Sequence, residues 1–393
     1  MHQKIGYQQH HFAIRFHHEK KTGIEGITVT NKKSTLNLKK YEKEMDVCIR
    51  CAYCFEQCPI VREAQWDTDG ARGKVILAYG ILTGEIEPSE YVAGKMFRCT
   101  YCRDCLERCP SKVKILDIIS SARADLVEAG FASDVQKHVV QNIQTTGNIY
   151  GDTEVVSQER DGKTPLFIGC QYLGRPNKTK KYIKILEELG ISPMATKEQC
   201  CGYPMEVLGF KKEFTAHKEK FQKSFPYHEA ITLCPTCTVF LHEGHGVATR
   251  HVLQVISEKL PNANLNLRVT YHDPCDFSRG LHLVEEPRKI LKTLGVEVVE
   301  MATNRENARC CGGGGGILMS DQTLSNDIAK KRIYEALDTG VDILVTACPT
   351  CEQVLKKAAQ AIGESEGKTM TIRSIEDLIW QGIQEAKKNA GTP

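Results

Sequence analysis

No stretch of this 393-residue chain is apolar over the roughly eighteen residues that a membrane-spanning helix requires. The chain is therefore expected not to cross a bilayer by itself. Its start, MHQKIGYQQH, lacks the basic-then-apolar order of a secretory signal, which points to a reducing cytoplasm. A large net charge is lacking as well. The formal net charge is +3, and residues 1–40 hold eight Lys/Arg against two Asp/Glu, so the remainder is slightly acidic and no nucleic-acid partner is expected. No flavin-binding βαβ fingerprint is present, so electrons for any redox chemistry must come from a partner.

What the chain does have is eighteen cysteines. In a reducing compartment these read as metal ligands, not disulfides, and the CxxC and CC runs followed by Pro or Gly agree with that. The rest of the composition is ordinary, with 41% hydrophobic and 26% charged residues in a length that suits two or three domains.

Residues 1–40 read as a basic N-terminal arm. Phe12, Ile14 and Phe16 alternate before a turn at EKKTG, and Ile27 and Val29 alternate after it, which predicts a hairpin that docks on the body or on a partner. Its histidines His2, His10, His11, His17 and His18 have no cysteine or carboxylate companions and read as solvated. Residues 41–145 form the next unit, a helical two-cluster domain. The polar stretch 145–163 reads as a linker.

Beyond it the chain repeats itself. Strand, helix, CC-Gly turn, helix and strand ending in CPTC occur once over 164–260 and again over 265–385. The fold class is α+β and α/β: a helical two-cluster, ferredoxin-like domain, then two pseudo-duplicated α/β lobes with parallel sheets and cysteines at the strands' carboxyl ends.

Cys48, Cys51, Cys54 and Cys58 precede Pro59 in the pattern C-x2-C-x2-C-x3-C-P, and Cys99, Cys102, Cys105 and Cys109 before Pro110 repeat it. Three thiolates at this spacing cap three corners of one 4Fe–4S cubane, and the fourth, redirected by proline, reaches the neighbouring cube. One cluster is thus assigned to Cys48, Cys51, Cys54 and Cys109, the other to Cys99, Cys102, Cys105 and Cys58. Arg50, Arg98 and Arg103 lie in or beside these loops, either tuning the clusters or simply solvated.

Each later repeat supplies five thiols: Cys170, Cys200, Cys201, Cys234 and Cys237, then Cys275, Cys310, Cys311, Cys348 and Cys351. Five exceeds what a cubane uses, and adjacent cysteines do not easily cap two corners of one cube. The run Gly312 to Gly316 lets backbone approach a cluster. It lacks the Lys-Ser/Thr that would make it a phosphate loop.

The patterns C-x29-CC-x32-C-x2-C and C-x34-CC-x36-C-x2-C resemble the cysteine-rich CCG domains of heterodisulfide reductase. Their union with a two-cluster region, over about residues 40–380, resembles that family's D-type subunit. The resemblance implies a noncubane 4Fe–4S cluster at each CCG motif, reduction of the coenzyme M–coenzyme B disulfide between the two, and a membrane cytochrome b partner that would hold the chain peripherally at the inner face. It also implies Lys or Arg near an anionic substrate, for which Arg175, Lys211, Lys212 and Arg279 are candidates. His272 is a candidate proton donor to the released thiolates, while Asp273-Pro274 shapes the strand end. The expected electron route runs through both cubanes to the first CCG site and across the substrate to the second. The same architecture resembles the iron–sulfur subunits of flavin-dependent glycolate, lactate and glycerol-3-phosphate dehydrogenases. There the CCG region only relays electrons to or from a flavoprotein.

Overall fold

The computed structural model describes residues 36–390. The expected hairpin and its histidines lie outside them.

The cluster-bearing region is helical. Ala71–Thr83 ends at Gly84 in the left-handed conformation, Glu90–Phe97 starts from a Ser89 cap on the Val92 amide, and Asp134–Thr146 starts from a Ser133/Gln136 capping box. Ile115–Glu128 runs between them, its face Ile115, Ile118, Ile119, Ala122 and Leu126 buried against Val75, Ala78, Met96 and Phe97. Packing starts before residue 41. Leu38 is fully buried, and the amides of Asn37 and Leu38 donate to the Asp125 carboxylate at 2.7 and 3.1 Å.

The stretch read as a linker is not loose. Gly147 O accepts from Cys200 N at 2.7 Å, the buried Asn148 amide donates to Asp152 O and Val155 O, and Arg160 bridges Ala195. Its polar side chains satisfy their own backbone, a pattern that leaves no hydrophobic period to read.

Two four-stranded parallel sheets follow. The first contains β1 (Thr164–Phe167), β2 (Pro193–Met194), β3 (Glu229–Thr232) and β4 (Ala248–His251), in the order β2-β1-β3-β4. The second contains β5 (Leu267–His272), β6 (Val296–Val298), β7 (Ile343–Thr346) and β8 (Thr371–Ser374), in the matching order β6-β5-β7-β8. The duplication seen in sequence is thus a duplication of topology. Leu166 pairs with Ile231 and Tyr271 with Val345 at the sheet centres. Helices cover the faces, so these short central strands are apolar on both sides. In each sheet two cysteine-bearing loops leave the carboxyl ends of the central strands, where the order reverses and ligand crevices form, and the loop with the CC pair follows the edge strand β2 or β6.

The lobes share one core. Phe167, Leu233 and Phe240 of the first belong to the same apolar cluster as Val269, Tyr271 and Leu378 of the second. Lys178 spans the seam, 2.8 Å from both Glu352 and Glu376. His251 sits there too. It is fully buried, donates through Nε2 to Leu233 O at 3.0 Å, accepts the Leu253 amide through Nδ1, and meets the Phe277 ring edge-on.

Burial pulls the His251 pKa down to about 3, so the folded imidazole stays neutral while the unfolded one protonates near its ordinary value. Stability from this group is therefore present above about pH 6.5 and is lost as pH falls towards 3, by about 1 kcal/mol over the first unit. Anaerobic denaturant titrations at pH 7.0 and 5.5 should show that loss, and His251→Asn should flatten it.

Candidate metal centres

All eighteen cysteines lie in the described region and all are free thiols. The structure gathers them into distinct groups. Cys48, Cys51, Cys54 and Cys109 line one void, and Cys58, Cys99, Cys102 and Cys105 line its neighbour, with Cys54 reaching both. The two loops converge by the same backbone device. Arg50 and Ala52 flank Cys51 at φ 56° and 68°, and Tyr101 and Arg103 flank Cys102 at φ 55° and 65°. Left-handed residues on either side of the middle cysteine turn successive thiols to one point.

The surroundings of the two voids differ. Cys51 is exposed, with Ile49 68% and Tyr53 62% exposed beside it, whereas Cys102 is buried. Lys74, 1% exposed, lines the second void and lies near Cys58 and Cys99, a cation that sequence reading passed over inside an apolar helix. Burial drives the Cys58 thiol up to about 12. That value applies to the metal-free thiol, and burial of this kind favours a ligand whose charge a metal neutralises.

The repeats meet at one cavity of about 600 Å³. Nine of their ten cysteines line it: Cys170, Cys200, Cys201, Cys234 and Cys237 from the first lobe, Cys275, Cys311, Cys348 and Cys351 from the second. Within each lobe the second cysteine of the CC pair is the hub. Cys201 Sγ lies 3.7 Å from Cys237 Sγ and also contacts Cys200, and Cys311 contacts Cys310 and Cys351 in the same way. Thiols donated by those neighbours push Cys201 and Cys311 well below the ordinary thiol range, while Cys200, Cys237, Cys310 and Cys351 are pushed up. Cys234 and Cys348 cap the helices Pro235–His245 and Pro349–Glu366, and the hydrogen bond with Cys237 lowers the Cys234 thiol below its ordinary range.

The tenth thiol, Cys310, turns the other way. It contacts Cys102 in the second ferredoxin-type loop as well as Cys275 and Cys311. The thiol contact between the cubane region and the repeats leads into the second site, whereas the expected route enters the first. Glycine makes the approach possible. A Cβ on Gly315 would stand 1.8 Å from Cys99 O, and one on Gly314 would stand 2.3 Å from Thr100 O. With φ at +62°, Gly315→Ala is expected to be strained twice over, lowering stability by about 3 kcal/mol. A thermal melt of the anaerobic protein checks this.

Two buried arginines clamp the same junction. Arg279 donates to Cys102 O at 2.7 Å and to Glu306 O and Ala308 O, so it supports the cluster loop and does not face the cavity. Arg123, which nothing in the sequence pattern singles out, reaches carbonyls of Met96, Phe97, Cys99, Val207 and Gly315. Arg103 pairs with Glu243 and Asp276, and Arg98 with Asp321, so these loop cations serve contacts with the lobes. Arg50 is exposed.

The other expected substrate-binding cations are also placed. Lys211 lies near Ser121 and Glu206, and Lys212 pairs with Glu128, both away from the cavity. Arg175 stands behind the cavity wall, bonded to Gln171 and Gln353. His272 is buried and does not line the cavity: Arg332 Nε donates to its Nδ1 at 3.1 Å, and its other side faces Cys311. The ring thus faces Cys311 and not the cavity. Asp273 is engaged by Arg288 at 2.8 and 3.0 Å.

A donor set of unbridged thiols with no carboxylate suits iron–sulfur clusters better than hard cations. One mixed group, His272, Cys311 and Cys351, has its ligand atoms within 4.8 Å of one another. Among the described residues no helix is long and apolar enough to cross a membrane.

Comparison with known proteins agrees with this geometry. A 4Fe-4S dicluster domain model matches residues 44–113, and a cysteine-rich (CCG) domain model matches residues 165–242 and 269–356. The chain is 28% identical to a component chain of the fumarate reductase (CoM/CoB) of Methanothermobacter marburgensis, over 86% of this chain and 73% of that one. It is 25% identical to the D-type chain of the dihydromethanophenazine:CoB–CoM heterodisulfide reductase of Methanosarcina acetivorans, over 79% of this chain and 88% of that one. An EtfAB:quinone oxidoreductase of Syntrophomonas wolfei is 24% identical over 92% of this chain and 60% of its own length.

Proposed function

We propose that this chain, in which a 4Fe-4S dicluster domain precedes two cysteine-rich domains, reduces a small-molecule disulfide at the cavity between its lobes. The observation that carries this reading is the shared cavity, lined by nine thiols of two separate five-cysteine sets, with the tenth facing the dicluster region.

In this reading Cys48, Cys51, Cys54 and Cys109 hold one cubane, Cys58, Cys99, Cys102 and Cys105 hold the next, and each five-cysteine set holds a noncubane 4Fe–4S cluster. The bound clusters supply one-electron transfer and a soft metal face for sulfur. The chain's own residues do the rest. The exposed Cys51 with Ile49 and Tyr53 offers a docking face for an electron donor, a membrane cytochrome b or a flavoprotein. Cys102 and Cys310 bring the dicluster region to the second lobe, and Arg123 and Arg279 fix that junction. His272 orients Cys311, and the Gly312–Gly316 loop leaves room at the cavity floor.

A second reading is favoured by the likeness to the EtfAB:quinone oxidoreductase: a relay that exchanges electrons with a flavoprotein and turns over no disulfide. The test is an anaerobic assay of the purified holoprotein with reduced methyl viologen and the coenzyme M–coenzyme B disulfide or simpler disulfides. Disulfide-dependent oxidation of the dye supports the first reading. Its absence, with electron exchange to a flavoprotein intact, supports the relay.

A further inference from the structure

The two cubane sites differ in the charge that faces them. Consecutive residues of the helix Ala71–Thr83 divide between them: Val75 lines the first void and Lys74 the second. Lys74 is 1% exposed, and its Nζ donates to the main-chain carbonyl of Asp69. A Cβ on Gly73 would stand 2.1 Å from Asp67 O, so the start of the helix is pressed onto the Asp67–Asp69 turn and the ammonium is held beside that carbonyl.

The other charged side chains lining the second void already have partners. Asp69 pairs with Lys95 at 2.6 Å, Arg98 with Asp321 at 3.1 Å, Arg103 with Glu243 at 3.2 Å and Asp104 with Arg108 at 3.0 Å. An ammonium as deep as that of Lys74 is costly unless an anion lies near. The thiolates of Cys99 and Cys58 counter its burial more strongly than the Asp69 carboxylate does, and ligation to a metal keeps both thiols ionised. The cations at the first void are wetted: Arg50 is exposed, and Arg72 pairs at 2.7 Å with the exposed Asp67. Solvent screens those charges far more than it screens Lys74.

We infer that Lys74 sets the reduction potential of the second cubane above the value that burial alone would give it, and so draws electrons from the exposed site to the one beside Cys310. A reduced cluster carries one more negative charge than an oxidised one, and burial without a cation disfavours it. Lys74 offsets that cost at the second void, where Cys102 meets Cys310. The step is a one-electron transfer: the first cubane is oxidised, the second is reduced, and no bond or proton is exchanged. The inference rests on the cubane assignment above and holds for the disulfide reading and the relay reading alike.

EPR-monitored redox titration of the anaerobic holoprotein tests this, with a soluble dysprosium complex to tell the exposed cubane, whose signal it relaxes, from the buried one. In Lys74→Met the buried cubane is expected to become about tenfold harder to reduce relative to the exposed one, a fall of about 59 mV for one electron. Asp69→Asn removes a negative charge from the same void and should move that potential upward, by about threefold in the same equilibrium. A loosened fold does not reverse its sign between two variants, so the pair separates charge from packing, and Asp69→Asn carries the test by itself should Lys74→Met fail to assemble. Potentials that move by less than twofold, about 18 mV, shifts of one sign in both variants, or a shift confined to the exposed cubane would overturn the inference and leave the cubane assignment standing. A wild-type chain that holds fewer than two cubanes defeats the assignment and the inference together.

Discussion

Replacing Cys310 with alanine is expected to reduce dye-linked disulfide turnover by about 100-fold or more, with the dicluster region still loaded. The reasoning is geometric. Cys310 is the thiol of the ten that leaves the cavity and meets Cys102, so it is the contact through which the dicluster region adjoins the second lobe. Removing one small side chain at a junction braced by Arg279 and the glycine loop should cost only about 1 kcal/mol of stability. Loss of turnover with a nearly unchanged melting temperature and retained dicluster EPR signals is the predicted combination. Cys200→Ala, at the equivalent position of the first lobe, faces Cys170 and Cys201 and removes a cavity thiol without touching that junction. It should leave reduction of the second site by dithionite intact while abolishing disulfide turnover. Wild-type turnover in Cys310→Ala would rule out the route.

The second large effect is structural. Arg123→Met should destabilise the protein by about 4 kcal/mol, which for a domain of this size lowers the melting temperature by roughly 10 °C. Arg123 is fully buried, lies over the Tyr101 ring at 4.8 Å, and has no carboxylate partner among the described residues. Its charge is instead met by carbonyls from three parts of the chain: Met96, Phe97 and Cys99 of the dicluster region, Val207 of the first lobe, and Gly315 of the second. Methionine keeps the apolar stem and leaves those carbonyls buried without donors, which is the expensive part of the change. A melt within 2 °C of wild type would show that water or a backbone shift replaces the guanidinium.

Much of this molecule is legible in its cysteines because a cluster motif is local. Spacings of two and three residues, with a proline after the fourth thiol, are set by the loop itself and survive any context. The repeat was legible for a related reason: Cys170 and Cys275 both follow a central strand, and the CPTC turns both cap a helix. The edge strands were not. Pro193–Met194 and Val296–Val298 are too short to show a period, and only their pairing with β1 and β5 makes them strands.

The least readable features are the ones that join the units. Nothing in the sequence around Cys310 says that it faces Cys102, since its neighbour Cys311 carries the same side chain and faces the cavity. Arg123 sits in a helix whose buried face is largely apolar, where an arginine reads as a surface residue until its five carbonyl partners are seen. Arg279 read as a substrate-binding cation for the opposite reason: proximity to Cys275 in sequence suggested the cavity, and a short π-helical turn over Asp276–Gly280 points it at the Cys102 carbonyl instead.

The central claim is that two unusual clusters share one cavity and bind sulfur there. The measurement that tests it most directly is anaerobic iron quantitation combined with EPR of the oxidised protein before and after addition of a thiol. The account predicts about sixteen irons per chain and a paramagnetic signal that appears only with thiol. About eight irons, with spectra indifferent to thiol, would contradict it.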